Sequence, residues 1–540
     1  MGQAKSKVMP AHQKQLEEEL ERWSRKKYKK RDRRIFGMLL RVVLNRYGGR
    51  RHPVLDSFET LMKRKLLTEL SFVPRGSVII YISHQWVGIN HPDPRGDQFY
   101  HLVLLLERLL RGDVDRTDMD AFHSLLYKHN YTTTAEEWRC MLDPEKTFIF
   151  YDGFCVSKED RDEAFRFVPE IIKRCDFMII LAPGCTHFDK IDPRTRRKMN
   201  LCYRTYRLRA MCVFEMFSAF LTTRGGEQVR PALLVRSGGG VPKWSSPLEC
   251  QKLAVGMSTF ECCENNHAII KECRRSICLK SLDELIERRA RSLFSSNKYA
   301  EARFTLCLRN YWCRGLIDDT TKASWNSIGE FKDSLRWIKS HENDFVDREG
   351  FSLLAYASTS DCFEAVHAVL TEIGKIKDHK KRDEYLRIRM PKQGLVALGI
   401  SGFATPLIGA MITSKTKVVA LLLEHGVDPH ESDIGGTDAF MFASIFGRTD
   451  NVKFWLKKFP DWDLERKNKV AGGVALGHAV YMGPHRLELV KVLLEHGASS
   501  DHRTDLGGTI LTSLCECEDG DPRMFEMLLD HMKIRQNNHT

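Results

Sequence analysis

Between residues 70 and 275 the chain carries apolar runs that are continuous rather than alternating. Four have the length of strands: SVIIYIS (Ser77–Ser83), TFIFYD (Thr147–Asp152), DFMIILAP (Asp176–Pro183) and RPALLV (Arg230–Val235). A run that is apolar at every position fits a parallel strand covered on both faces. Stretches of helical period lie between them, among them QFYHLVLLLERLLR and DEAFRFVPEIIKRC. Strand–helix alternation of this kind predicts an α/β doubly wound parallel sheet.

In such sheets ligands bind beyond the carboxyl ends of the strands. The polar signals fall there: Ser83, His84 and Trp86 (SHQW) after the first run, Asp152-Gly153 after the second, APGCTH after the third. No G-x-G-x-x-G follows a strand and no G-x-x-x-x-G-K-[ST] occurs, which argues against a dinucleotide fold of Rossmann type and against a P-loop.

The segment YRLRAMCVFEMFSAFL (Tyr206–Leu221) is apolar nearly all round, yet it carries Glu215. At helical spacing Leu208, Met211, Cys212, Glu215 and Ala219 share one stripe, and Val213, Phe214, Phe217 and Phe220 cover the other side. Glu215 therefore faces packed protein or a cleft. Burying an unpaired charge is costly, so two roles fit: an ion pair with Arg204 or Arg209, or an active-site carboxylate.

The order VIIYISHQW, FIFYD…FVPEIIKRCDFMIILAP, RLRAMCVFEMF, PALLV resembles a Toll/interleukin-1-receptor-type (TIR-like) domain. Ser83 matches the first box, Pro183 the end of the third strand, and Cys212-x-x-Glu215 the helix motif. The chain departs from the enzymatic pattern at Arg209 and Met211, where that pattern has Ser and Trp, and it inserts about thirty residues before the second strand. Some members of this family are adaptors that self-associate. Others cleave the nicotinamide–ribose bond of NAD with the helix glutamate. The resemblance implies Glu215 as the catalytic residue, with Ser83, His84, Trp86 and Asp152 lining the nucleotide pocket and NAD as substrate rather than resident cofactor.

From residue 346 the pattern repeats. TPLIGAMITSKTKVVALLLEHGVDP begins at Thr405 and VALGHAVYMGPHRLELVKVLLEHGASSD at Val474, with weaker copies between and beside them. EHG recurs at Glu424 and Glu495, about two periods of 33–35 residues apart. These residues resemble the ankyrin repeat: an all-α solenoid of four or five repeats, binding proteins on its concave face. Gly426 and Gly497 suit left-handed helix caps. Residues 276–345 read as a helical linker.

Composition adds less. Hydrophobic content of 42% and charged content of 29% are those of a soluble globular chain. No apolar run reaches the roughly 18–20 residues of a bilayer span. Sixteen scattered cysteines suit a reducing compartment. Cys262, Cys263, His267 and Cys273 form the densest group, but their spacing matches no standard zinc pattern, so helix packing is expected there and no metal.

The net charge of +13 concentrates near the start. MGQAKSK fits the N-myristoylation pattern with Gly2 as acceptor, and RKKYKKRDRR (Arg25–Arg34) supplies the second signal that one acyl chain needs on anionic lipid. Residues 1–69 thus read as a basic helical region with a lipidation signal, without the module a nucleic-acid partner would need. The expected protein is a cytoplasmic signalling scaffold, peripheral at the cytosolic face of a membrane. The alternative is a NAD glycohydrolase acting through Glu215.

Overall fold

A computed structural model describes residues 34–121, 123–124, 130–157, 164–193, 195–222, 231–264, 273–318, 320–337, 344–481, 486–516 and 521–539. Gly2 and the basic run up to residue 33 lie outside them.

The described strands are β1 (Phe36–Leu39), β2 (Leu67–Glu69), β3 (Val78–His84), β4 (Arg116–Asp118), β5 (Thr132–Thr134), β6 (Thr147–Phe150), β7 (Phe177–Leu181), β8 (Cys185–Ile191), β9 (Lys198–Leu201), β10 (Ala232–Val235) and β11 (Lys243–Ser245). Seven of them form one sheet in the order β11-β10-β7-β3-β6-β1-β2. The four apolar runs are its parallel centre: β3 pairs β6 and β7, and β7 pairs β10. The edges differ from the all-parallel expectation. β11, β1 and β2 join antiparallel, which makes the sheet mixed. β1 and β2 precede residue 70, so the sheet starts earlier in the chain than the pattern suggests. The reason is local. β1 runs without a break into the helix Leu40–Tyr47, so IFGMLLRVVL reads as a single apolar segment. β2 is three residues long and only half-buried.

Helices flank both faces. Among them are α1 (Asp97–Arg111), α2 (Val168–Arg174), α3 (Ala210–Leu221) and α4 (Arg274–Ser295). α1 starts at Gly96, whose positive φ of 71° brings its backbone against Pro53; a Cβ there would lie 2.1 Å from the Pro53 carbonyl oxygen. The Asp93 carboxylate accepts from the amides of Asp97, Gln98 and Phe99 and so caps the helix. The inserted residues before β6 form the β4–β5 pair and the helix Ala135–Met141, whose Thr134/Glu137 capping box fixes its start. Trp138 of that helix stacks on Trp244 of β11, with ring centroids 5.4 Å apart.

The C-terminal region is a row of helix pairs. The pairs are Leu353–Thr359 with Phe363–Gly374, Pro406–Thr413 with Thr416–Glu424, Ala439–Ile445 with Thr449–Lys458, Ala475–Tyr481 with Leu487–Glu495, and Ile510–Glu516 with Pro522–His539. First helices stack on first helices and second on second. Ser352, Thr405, Asp438 and Thr509 each accept from the amide three residues on, so each first helix they precede has a side-chain cap. Gly426 and Gly497 have φ of 82° and 95°, the left-handed conformation expected of them.

The linker belongs to both neighbours. α4 packs on α3, and Arg289 donates to the Phe220 carbonyl. Tyr311 Oη donates to the Gln251 carbonyl (2.8 Å), and Asn310 donates to that of Ser360 in the first helix pair (2.8 Å). Arg303, in the helix Tyr299–Cys307, pairs with Asp347 in the turn before the first pair at 3.1 Å, both fully buried. One hydrophobic core therefore runs from Met38 in β1 to Leu528 in the last helix.

Candidate functional site

Side chains alternate along a strand, so β3 serves two faces at once. Tyr81 and Ser83 point toward α3, and His84 points toward α1. On the first face Tyr81 Oη donates to Glu215 Oε1 at 2.8 Å, and Ser83 Oγ donates to Glu215 Oε2. Ser83 also bonds Tyr206 Oη. On the second face His84 Nε2 meets Asp152 Oδ1 at 2.7 Å, and Nδ1 meets Gln98 Oε1 at 3.1 Å. Trp86 Nε1 donates to Asp152 Oδ2 at 2.9 Å. The His84 ring stacks on Tyr151, with centroids 4.4 Å apart. All five residues expected at the site thus gather at the carboxyl end of β3, in two hydrogen-bonded groups.

The electrostatics separate the two groups. Burial pushes Glu215 up to about 7, against the Ser83 and Tyr81 hydrogen bonds; the nearby Asp152 charge pushes the same way as burial and His84 opposes it. Burial disfavours the charged form of His84, but Asp152, through its charge and its hydrogen bond, outweighs it and holds the ring above its ordinary value. Both ring nitrogens face oxygen acceptors, which suits an imidazolium. Cys212, one turn before Glu215, is buried, and burial pushes its thiol well above the usual range, which disfavours the thiolate.

The ion-pair role for Glu215 does not hold. Arg209 pairs with Glu261 and donates to the Trp86 carbonyl at 2.9 Å, and Arg204 lies 3.7 Å from Asp521. Arg209 has φ −90° and ψ 125°, so it breaks the expected helix in two: Tyr203–Leu208 and α3. Leu208 therefore does not share a stripe with Glu215. Sequence reasoning passed over Tyr81, Tyr206 and Gln98. The signal for Tyr81 was present, since it stands two residues before Ser83 on the same strand face.

Asp152 lies 37% exposed at the side chain, Trp86 is half-buried, and Glu215 keeps partial exposure, so the cluster reaches the surface. A cavity of about 380 Å³ lies alongside, lined by Arg95, Thr186, His187, Phe188, Asp189 and Lys198. It adjoins the loop after Trp86: the Phe188 amide donates to the Val87 carbonyl, and Asp189 accepts from the Ile89 amide at 2.7 Å.

Residues 408–454 match the family model described as ankyrin repeats (many copies). That stretch holds most of the second and third helix pairs. Ankyrin repeats generally bind proteins, so the match supports protein partners for this part of the chain. No curated protein matches the chain.

Proposed function

We propose that the chain couples a protein-binding ankyrin stack to a TIR-like domain that hydrolyses the nicotinamide–ribose bond of NAD through Glu215. The observation that supports this is the setting of Glu215. Its carboxylate is held by two neutral hydroxyls, Ser83 and Tyr81, and no basic side chain among the described residues bonds it. A structural carboxylate in so apolar a helix would take a cation. A catalytic one needs its charge unspent and its pKa near working pH.

The chemistry follows from that placement. The C1′–N bond of the ribosyl pyridinium breaks, and its electron pair stays on the ring nitrogen, so nicotinamide leaves neutral. Positive charge builds on the ribose, and the Glu215 carboxylate stabilises it. Water adds at C1′ and its proton passes to Glu215 and then to solvent. Tyr81 and Ser83 fix the carboxylate, while the Asp152–His84–Trp86 group shapes the nucleotide side. Purified full chain incubated with NAD should release nicotinamide, and Glu215→Gln should not. Equal release by both proteins would refute the assignment.

The membrane part of the reading rests on Gly2 and the basic run. No helix of the described residues is long and apolar enough to cross a membrane. N-myristoyl and the basic residues together would hold the chain at anionic lipid. Gly2→Ala should lose membrane partition; unchanged partition would remove this part.

A further inference from the structure

Away from the candidate site, three cysteine sulfurs converge. Cys262 and Cys263 lie on the short helix Glu261–Glu264, and Cys273 is the residue before α4. Cys262 Sγ lies 3.9 Å from Cys263 Sγ, and Cys263 Sγ lies 3.8 Å from Cys273 Sγ. All three sulfurs fall within 4.8 Å of one another. A disulfide would need about 2.05 Å. A single tetrahedral ion with metal–sulfur bonds of about 2.3 Å holds its sulfurs about 3.8 Å apart. Both separations from Cys263 lie close to that value.

We propose that Cys262, Cys263 and Cys273 form a three-thiolate site for one thiophilic d10 cation, of the class of Zn(II) or Cu(I). Soft thiolates select such ions over Mg(II) or Ca(II). Cys262 is buried and the other two are half-buried, so the site is partly shielded but keeps a path to solvent. Three thiolates around a divalent ion leave one negative charge. The surroundings answer it: Cys273 stands at the N-terminus of a 22-residue helix, and Arg274 and Arg275 follow it directly. Arg275 is held in place over the Phe260 ring at 4.9 Å. The sequence hides this arrangement, because adjacent cysteines and a ten-residue step to the third match no common zinc spacing. The fold supplies the convergence by placing the short helix beside the start of α4.

The ion would tie these two elements together. Glu261, in the same short helix, pairs with Arg209, which also donates to the Trp86 carbonyl. The cysteine site thus lies two contacts from the candidate pocket without sharing a residue with it.

The test uses reduced, purified full chain titrated with Cd2+ as a spectroscopic probe. A thiolate-to-cadmium charge-transfer band should grow and saturate at one equivalent. Cys263→Ser should abolish it, Cys273→Ser should weaken Cd2+ binding by at least about tenfold, and Cys140→Ser, at an exposed cysteine elsewhere, should leave it intact. Alkylation of wild-type Cys263, read by peptide mass spectrometry, should be suppressed by Cd2+, which makes the result independent of how the variants fold. Absence of the band, its survival in Cys263→Ser, or equal alkylation with and without Cd2+ would overturn the proposal.

Discussion

Tyr81 donates its phenolic hydrogen to Glu215 across 2.8 Å, joining the middle strand of the sheet to the helix that packs over it. This bond favours the ionised carboxylate, whereas burial opposes it. In Tyr81→Phe the carboxyl should titrate higher than in wild type. If nicotinamide release depends on the carboxylate, the acid limb of its pH profile should sit near pH 7 in wild type and move to higher pH in the variant. A limb that stays in place would dissociate Glu215 from the rate.

Glu215→Gln should lower release by at least about 100-fold while leaving the fold intact. Far-ultraviolet circular dichroism and the turnover of NAD together check this.

Stability should carry the same signature. The carboxyl of Glu215 goes from an ordinary 4.5 to about 7 on folding. A raised folded value means that its favourable contribution is complete below the unfolded value and fades as pH climbs through about 7. Wild type should therefore lose up to about 3 kcal/mol relative to Glu215→Gln between pH 5 and pH 8. Parallel denaturant titrations of the two proteins across that range measure the difference.

Asp152→Asn should lower the His84 titration midpoint, because burial then acts on the ring without a carboxylate to offset it. Histidine resonances followed by NMR against pH give the answer directly.

Asp347→Ala should destabilise the chain by about 3–5 kcal/mol, since it takes the carboxylate partner from the buried Arg303 guanidinium. The turn before the first repeat suffers as well: Asp347 also accepts from the Tyr356 hydroxyl at 2.7 Å and from the Phe351 amide. A loss under about 1 kcal/mol would mean that solvent reaches the pair in solution.

The four central strands were legible because burial on both faces leaves an unbroken apolar run, and the repeat glycines because few other residues tolerate their φ. The edge strands β1 and β2 were not, since short, one-sided pairing leaves little hydrophobic trace. The five residues proposed for the site lie near one another, but their bonding was not legible. A helix wheel places Glu215 on an inward stripe; it cannot show that Arg209 leaves helical geometry and turns to Glu261, nor that Tyr81 reaches across from the sheet. The cysteine convergence was invisible for the same reason: it depends on how the short helix and the start of α4 lie in space and not on a spacing.

The core that runs unbroken from β1 to the last helix bears on how the two ends communicate. Because the same core spans both, sheet and solenoid should unfold as one cooperative unit, which coincident denaturation by probes in each part checks. A protein gripping the repeats adds its binding free energy to the whole body, and linkage then requires that any ligand at Glu215 whose affinity that protein changes alter the grip on the protein by the same factor.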